Sequence, residues 1–418
     1  MASLLISGGR PLCGEIKIQG SKNAVLPLMA AALLLPGTTR LSGCPRISDV
    51  AAMAELLEQV GARVSWEEDT LCIDAATVHP IPLKQEDTRK TRASILLLGA
   101  LLGRTQCCEM AYPGGCAIGS RPIDLHLKAL RGMGYTVWER EELFCEGKGV
   151  AGADIYFTFP SVGATQNALL TAATIPGETR LHGVAREPEV QVLCRFLQKA
   201  GVRIDGIGTK NLKIKGSEVL MPVNEVVPSD RIVAGTYLVA VLAAGGNALL
   251  HCDCVRELAA LVKPLRAAGA KIFELPEGIR VGAGERLTAL DYLVTEPYPG
   301  FPTDMQSQVM ALAAVCEGTT ILEERVFEAR LATAAQLKRM GAKIYLEENR
   351  AIIQGVSRLR GAAVEAGDLR GAAALVIGGL SAEGETLLAG YSYILRGYED
   401  IVRDFTALGA ELRLTESR

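Results

Sequence analysis

One segment recurs six times along the chain: an amphipathic helix ends at a glycine, and a short strand follows. The six copies read LLEQVGARV, ALRGMGYTV, FLQKAGVRI, PLRAAGAKI, QLKRMGAKI and FTALGAEL. Their glycines, spaced 67 to 73 residues apart, are Gly61, Gly134, Gly201, Gly269, Gly341 and Gly409. A glycine directly after a helix is typical of a left-handed C′ cap. A repeat of this length predicts six structurally related units.

Each copy also contains a β-prone segment and, before it, a helix that is apolar on nearly every face. The β-prone segments are PGTTRLSG, GRTQCCEM, PGETRLHG, EGTTILEE, EGETLLAG and the weaker GGNALLHC. The apolar helices are AVLPLMAAALLL, ASILLLGALLG, ATQNALLTAAT, IVAGTYLVAVLAA, MQSQVMALAAVC and GAAALVIGGL. A helix that is apolar all round belongs in an interior, and small residues let such helices pack closely. We therefore predict two globular halves of three repeats each, with sheets around a helical core.

Composition fits a large globular protein. Of 418 residues, 49% are hydrophobic and 22% charged, and the net charge of −3 gives no reason to expect binding to nucleic acid or a membrane surface. The longest apolar run, residues 24–36, is shorter than the roughly 18 residues that a bilayer span needs. The N-terminal sequence has no signal-peptide pattern. Eleven cysteines without regular spacing favour a reducing cytoplasm. For Cys252 and Cys254, a strand with two small apolar residues is favoured over half of a metal site.

The first residues of the six apolar helices carry the functional signal. They are Ser21-Lys22-Asn23, Lys90-Thr91-Arg92, Ser161-Val162-Gly163, Ser229-Asp230-Arg231, Thr303-Asp304 and Asp368-Leu369-Arg370. Serine, threonine and aspartate are explained as N-caps. The cations Lys22, Arg92, Arg231 and Arg370 are not, because a positive charge is disfavoured at a helix N-terminus unless an anion meets it. We predict a ligand with phosphate or carboxylate groups, bound between the halves.

The loop YPGGCAIGSRPIDLHL places Cys116 among Gly114, Gly115 and Gly119, ahead of Arg121. A thiol beside a guanidinium and a helix start is expected to have a lowered pKa and raised reactivity. The other ten cysteines are interpreted as small buried hydrophobes. The glycines let the loop move or let its backbone approach a ligand closely. We hypothesise that the loop around residues 111–121 is a lid that closes, together with the two domains, when ligand binds. The sequence has no dinucleotide, P-loop or zinc-protease motif.

Seven blocks now give a resemblance that runs nearly end to end. In order they are GSKNAVLPLMAAALL, KTRASILLLG, PGGCAIGSRPIDLHL, SVGAT, GFPTDMQ, VFEAR and LRGYEDIVRDFTALGAEL. Together they closely resemble the UDP-N-acetylglucosamine 1-carboxyvinyltransferases, a family of enolpyruvyl transferases. The resemblance implies an α/β fold, the two-domain inside-out α/β barrel of six βαβαββ-like repeats. One domain would be residues 22–228, with the Cys116 loop. The other would be 1–21 plus 229–418, with Asp304 and Arg396, and the active site would lie in the cleft between them.

The implied reaction moves the enolpyruvyl group of phosphoenolpyruvate to the 3-hydroxyl of UDP-N-acetylglucosamine and releases phosphate, the first committed step of peptidoglycan synthesis. It proceeds by addition and elimination through a tetrahedral intermediate, without a metal or organic cofactor. By resemblance, Cys116 is the proton donor and a carrier of a covalent adduct, and Asp304 is the general base. The residues implied to grip phosphoenolpyruvate are Lys22, Asn23, Arg121 and Arg396. Those implied to contact the UDP-sugar are Arg92, Arg121, Pro122, Ile123, Asp124, Leu125, Ser161, Val162, Gly163, Asp304 and Val326. Further polar residues of the cleft are Arg330, Asp368 and Arg370.

Each assignment has a plainer alternative. Asp304 and Asp124 could instead be helix caps. Arg396 and Arg403 could be solvated surface charges, and Asn23 could be a helix-start residue that binds no ligand. The sequence also departs from common family residues. Phe159 stands where lysine is usual, and Leu395 and Ala329 stand where aspartate and asparagine are usual. These departures leave open a second-copy or divergent paralogue with an altered affinity or a different sugar nucleotide.

Three other functions are alternatives to this reaction. The nearest is enolpyruvyl transfer to shikimate 3-phosphate by the sister enzyme, which lacks the PGGC loop. A catalytically silent, ligand-binding regulator on the same scaffold is opposed by the presence of Cys116, Asp304 and Lys22. A nucleic-acid-binding role is least favoured, because the charge balance is acidic and no basic stripe is present.

Overall fold

A computed structural model describes residues 2–114, 119, 122–284 and 286–416. Contacts divide the chain into two compact units. The first, called here the 20–228 unit, is described over residues 20–114 and 122–228. The second, called the 229–416 unit, also takes in residues 2–19. Each unit has its own hydrophobic core, and the two sets of buried side chains share no residue.

Three sheets form the outer layer of the 20–228 unit, one for each of its repeats. In spatial order, the strands of the first are Asn224–Val226, Thr38–Ser42, Thr70–Asp74 and Arg63–Glu67. Those of the second are Cys107–Ala111, Glu142–Glu146 and Thr136–Glu139. Those of the third are Arg203–Asp205, Asn211–Lys215, Glu178–His182 and Asp154–Tyr156. In the first and third sheets one edge strand is parallel and the remaining pairs are antiparallel.

The helices of this unit separate into an inner and an outer set. The inner helices are Lys22–Ala32, the 3₁₀ turn Arg92–Ile95 continuing into Leu96–Thr105, and Val162–Ala172. The outer helices are Ser48–Gln59, Gln85–Thr88, Asp124–Gly132 and Pro188–Lys199. The inner helices are buried almost throughout, as their apolar sequences predict. The outer ones bury one face only.

The 229–416 unit repeats this arrangement. Its first sheet has the order Ala363–Glu365, Glu385–Ala389, Ala2–Ser7 and Glu411–Glu416. The second has Lys271–Leu275, Gly278–Gly282, Gly246–His251 and Leu12–Lys17. The third has Tyr292–Val294, Thr319–Glu323, Arg350–Gln354 and Lys343–Glu347, and a small sheet pairs Leu359–Arg360 with Ala382–Glu383. The N-terminal strand is central in the first sheet, where Leu4 faces Leu388 on one side and Leu414 on the other.

Its helices follow the same division. The inner helices are Arg231–Ala244, the 3₁₀ turn Thr303–Met305 continuing into Gln306–Ala313, and Leu369–Ser381. The outer elements are Arg256–Leu258, Ala259–Ala267, Arg330–Ala332, Thr333–Arg339, Tyr391–Ile394 and Ile401–Ala407. The three inner helices contact one another. Glycine on these helices permits the close approach: a Cβ at Gly235 of one inner helix would lie 2.9 Å from the sulfur of Met305 on the next.

The local predictions for the repeats are confirmed. All six helix-ending glycines have positive φ, between 89° and 112°, so each adopts a conformation that L side chains rarely take. The side chains of five predicted cap residues accept hydrogen bonds from backbone N–H groups in the first turn of the inner helices. These residues are Ser21, Thr91, Ser161, Asp230 and Asp368.

Two plainer readings of single residues are wrong, and the reading of a cysteine pair is wrong in part. Asp304 makes no cap, since the turn it occupies begins after Pro302 and its carboxylate faces two arginines instead. Asp124 is the first residue of its own helix and makes no side-chain cap bond. Cys252 and Cys254 are buried, but they follow the strand Gly246–His251 rather than lying in it.

Two broader expectations concern the whole chain. Among the residues that the structure describes, no helix is both long enough and apolar enough to cross a bilayer. The ten described cysteines carry thiols rather than disulfides, and all but Cys13 and Cys107 are buried.

Candidate active site

Asp304 lies at the centre of an ion-pair cluster within the 229–416 unit. Its Oδ1 accepts a hydrogen bond from Arg330 Nη1 at 2.8 Å, and its Oδ2 accepts one from Arg370 Nη2 at 3.1 Å. Only 5% and 8% of the two arginine side chains are exposed, against 24% for Asp304. These three residues, called here the Asp304 cluster, hold two buried positive charges around one carboxylate that solvent still reaches.

The first residues of two inner helices supply two members of the cluster. Asp304 precedes the helix Gln306–Ala313, and Arg370 is the second residue of Leu369–Ser381. The N-cap Asp368 fixes the start of that helix by accepting from the N–H groups of Arg370 and Gly371 at 2.8 and 3.1 Å. The predicted clustering of helix starts therefore holds for these two helices.

Electrostatics keep Asp304 ionised. Burial raises the pKa of its carboxyl, but the charges of Arg370 and Arg330 outweigh burial and hold the pKa well below its usual value. Burial lowers the pKa of the Arg370 guanidinium, and Asp304, Tyr398 and Asp230 together outweigh that effect and raise the pKa above its usual value. The arrangement provides an acceptor for a hydroxyl proton together with two cations for anionic groups.

Arg396 lies in the turn after the short helix Tyr391–Ile394 and is half-buried. The side chain of Gln19 holds this turn from the N-terminal segment. Its Nε2 donates to the Gly397 carbonyl at 3.1 Å, and its Oε1 accepts from the Glu399 N–H at 2.8 Å. Sequence reasoning did not identify Gln19, because a single glutamine 378 and 380 residues from its partners gives no local signal.

In the 20–228 unit, Lys22 is the first residue of the helix Lys22–Ala32. Its Nζ contacts Asp49 Oδ2 at 2.5 Å, with 12% and 4% of the two side chains exposed. The cation at this helix start is thus met by a carboxylate of the protein. Asp49 was missed by sequence reasoning, because an acidic residue in the first turn of Ser48–Gln59 is explained by the helix dipole alone.

Two predicted sugar-nucleotide segments of this unit are joined through His126. The helix Asp124–Gly132 packs on Val162–Ala172, and His126 Nδ1 lies 2.7 Å from Asn167 Nδ2. Because the amide nitrogen is a donor, Nδ1 accepts in this pair. Gly163 admits the ring, since a Cβ there would lie 3.1 Å from His126 Cε1. Asp124 and Leu125 are thereby fixed relative to the start of the second helix.

The remaining predicted residues are placed as follows. Arg92 Nη1 donates to the Gly114 carbonyl at 3.5 Å. Val326 is half-buried in the turn that leads to Arg330. Half-buried residues also include Asn23, Ile123, Ser161, Val162 and Gly163, whereas Pro122 is exposed. The departing residues Phe159, Leu395 and Ala329 are exposed as well. Cys116 and Arg121 lie outside the described residues, so their predicted roles stay predictions.

Sequence comparison shows to which protein family this chain belongs. A profile of the EPSP synthase (3-phosphoshikimate 1-carboxyvinyltransferase) family matches residues 6–405. A Cellvibrio japonicus protein named UDP-N-acetylglucosamine 1-carboxyvinyltransferase is 43% identical over 421 residues, which is 100% of both chains. This chain belongs to the UDP-N-acetylglucosamine 1-carboxyvinyltransferase family of enolpyruvyl transferases. It is therefore a transferase, as the sequence blocks predicted.

Other members and solved structures agree with this placement. The family member called UDP-N-acetylglucosamine 1-carboxyvinyltransferase 2 in Caldanaerobacter subterraneus subsp. tengcongensis is 40% identical and covers 99% of each chain. The enolpyruvyl transferase NikO from Streptomyces tendae matches with a TM-score of 0.90 at 24% identity, covering 100% of this chain and 99% of its own. EPSP synthase from Acinetobacter baumannii matches with a TM-score of 0.78 at 19% identity and full coverage of both. These structures confirm the predicted α/β fold, the inside-out barrel of the enolpyruvyl transferases.

Proposed function

We propose that this protein transfers the enolpyruvyl group of phosphoenolpyruvate to the 3-hydroxyl of UDP-N-acetylglucosamine, with release of phosphate, as the first committed step of peptidoglycan synthesis. The observation that carries the proposal is the Asp304 cluster: an ionised acceptor for a hydroxyl proton between two buried cations. Relatives at 40% and 43% identity carry the name of this reaction. No nucleic acid, membrane or cofactor takes part in the proposed reaction.

In the addition step, Asp304 accepts the proton of the sugar 3-hydroxyl as that oxygen bonds to the C2 carbon of phosphoenolpyruvate. The electrons of the C2–C3 double bond take a proton at C3, for which Cys116 is the proposed donor. Both transfers are general acid–base steps, which require donor and acceptor within hydrogen-bond reach of the reacting atoms. The product is a tetrahedral intermediate that carries phosphate on C2.

In the elimination step, the bond between C2 and the phosphate oxygen breaks, a proton passes from C3 to the Cys116 thiolate left by the addition step, and the double bond forms again. Negative charge accumulates on the departing phosphate, and cations stabilise such charge in a transition state. Lys22, Arg121 and Arg396 are proposed for this role on phosphoenolpyruvate. Arg92 and the segments 121–125 and 161–163 are proposed to hold the UDP-sugar, with Val326.

The lowered pKa of Asp304 adds a condition to this mechanism. A carboxylate held by two arginines is fully ionised but binds a proton weakly. We propose that anionic groups of the substrates attract Arg330 or Arg370 when they bind. The pKa of Asp304 then rises, and the carboxylate becomes a stronger base only when substrate is present. We also propose a cytoplasmic location, which is supported by eleven cysteines without regular spacing, a pattern typical of proteins from a reducing compartment.

The test is phosphate release from phosphoenolpyruvate, with UDP-N-acetylglucosamine and shikimate 3-phosphate supplied in separate reactions. We expect release with the UDP-sugar alone. Asp304→Asn should reduce kcat by at least about 100-fold, because an amide cannot take the proton. Asp400→Asn is the matched control, since Asp400 caps the helix Ile401–Ala407 by accepting from the Arg403 N–H, and asparagine caps equally well. Release with shikimate 3-phosphate alone, or with neither acceptor from folded protein, would refute the proposal.

A further inference from the structure

Glu324 is a buried carboxylate that has no role in the proposed mechanism. It follows directly after the strand Thr319–Glu323, and only 3% of the residue is exposed. Its backbone is fixed to the neighbouring hairpin: the Glu324 N–H donates to the Asn349 carbonyl at 2.8 Å, and Asn349 Nδ2 donates back to the Glu324 carbonyl at 3.1 Å. A carboxylate so deeply buried is costly unless its oxygens are well satisfied.

Four donors satisfy this carboxylate. Oε1 accepts from the Thr295 hydroxyl at 2.8 Å and from the N–H groups of Val326 and Phe327 at 2.8 and 3.0 Å. Oε2 accepts from the Thr303 hydroxyl at 2.8 Å. Both oxygens of a carboxylate are acceptors, whereas a glutamine would turn a donor toward one side. One oxygen therefore holds the turn at residues 326–327, and the other holds the residue before Asp304.

The Thr303 hydroxyl continues the connection to the reacting carboxylate. It donates to Glu324 and accepts from Arg330 Nη1 at 3.2 Å, and the same nitrogen donates to Asp304 Oδ1 at 2.8 Å. The hydrogen bonds run from a cation through a hydroxyl to an anion, so each strengthens the next. Arg330 also lies over the Phe327 ring, with 5.0 Å between its Cζ and the ring centroid.

We infer that Glu324 is a positioning residue that holds the Val326 turn and Asp304 in one fixed arrangement through Thr303. The inference rests on the proposed function, in which Val326 contacts the UDP-sugar and Asp304 takes the proton of its 3-hydroxyl. A sugar held by the turn then presents its hydroxyl at a constant distance from the base. Errors of about 1 Å in such placement reduce rates about 100-fold.

The test compares two substitutions at Thr303 that differ in the hydroxyl. Thr303→Val keeps the shape of the side chain and removes the hydroxyl that joins Glu324 to Arg330, whereas Thr303→Ser retains it. Steady-state phosphate release would give kcat and KM for each substrate. We expect Thr303→Val to lower kcat/KM for UDP-N-acetylglucosamine by about tenfold or more, the effect of losing a hydrogen bond to a charged group. Thr303→Ser should recover most of that loss, and KM for phosphoenolpyruvate should change little.

A second pair of substitutions separates a loss of catalytic efficiency from a loss of stability. Glu324→Gln should lower kcat/KM for UDP-N-acetylglucosamine, whereas Glu323→Gln should leave kcat/KM unchanged. Glu323 is an equally buried neighbour at 4% exposure, but it accepts from Tyr292, Arg325 and Arg350 rather than from Thr303. If Thr303→Val and Glu324→Gln lower the melting temperature but leave kcat/KM at the wild-type value, the inference is wrong. Wild-type protein that releases no phosphate would overturn the proposed function first, and this inference with it.

Discussion

Combining Asp304→Ala with Arg330→Met is expected to reveal a coupling of about 2 kcal/mol in the free energy of unfolding. The paired atoms lie 2.8 Å apart, with 5% of the arginine and 24% of the aspartate side chain exposed. A hydrogen bond to a charged group contributes about 1.5–3 kcal/mol, and the solvent that reaches Asp304 places this pair low in that range. Asp304→Ala alone should cost about 3–5 kcal/mol, because it leaves Arg330 and Arg370 buried without their counter-charge.

Urea unfolding followed by far-UV circular dichroism at neutral pH would measure the coupling. Both tryptophans, Trp66 and Trp138, belong to the 20–228 unit, so their fluorescence reports on the other unit and serves as an internal control. The four proteins of the cycle should differ in the circular dichroism transition and agree in the fluorescence transition if the units unfold separately. A coupling below about 0.5 kcal/mol would show that the two charges are solvated independently, and the electrostatic reasoning about the Asp304 cluster would fail.

Three further outcomes are expected. Hydrogen bonds from the Tyr292 hydroxyl and two arginines lower the pKa of Glu323 to about 2. These bonds stabilise the folded protein fully above pH about 4.5, and the stabilisation is lost as the pH falls toward about 2. Glu323→Gln should therefore make the urea midpoint of unfolding less dependent on pH across that range. Asn167→Leu should lower the free energy of unfolding by about 3 kcal/mol in urea, chiefly because the buried Gly99 N–H, 2.8 Å from Asn167 Oδ1, loses its acceptor. Cys116→Ala should abolish phosphate release while Cys116→Asp, which keeps an acid, retains part of it; equal activity of wild type and Cys116→Ala would exclude the thiol from the reaction.

Features governed by local chemistry could be predicted from the sequence. The six glycines were identifiable because a left-handed residue after a helix nearly requires glycine. The inner helices were identifiable because no other environment suits a helix without a polar face. The caps at Ser21 and Asp368 follow from the same reasoning, since orphan N–H groups at a helix start need a nearby acceptor.

Pairings across the chain could not be predicted in the same way. Lys22 stood out as a cation at a helix start, but nothing near it in sequence pointed to Asp49 as its partner. Asp304 was read alternatively as a cap because residue type and position fit that role, and only the folded chain shows its carboxylate facing Arg330 and Arg370. Which charge meets which depends on how separate repeats pack, and a periodic pattern carries no such information.

The repeats also explain why these charges lie at helix starts. The interior of each inner helix packs closely against its neighbours, so an unpaired charge there would be costly, and its glycine positions leave little room for a larger side chain. The first turn lies at the margin of that core, its N–H groups already face outward, and a cap such as Asp368 satisfies them whatever residue follows. A cation two residues later, such as Arg370, therefore changes the chemistry without disturbing the packing.

A buried cation still needs an anion when no ligand is bound, and Asp49 and Asp304 supply it for Lys22 and Arg370. Under the proposed function, an anionic substrate would compete with a carboxylate already present rather than enter an uncompensated site, and its binding would be coupled to release of that carboxylate.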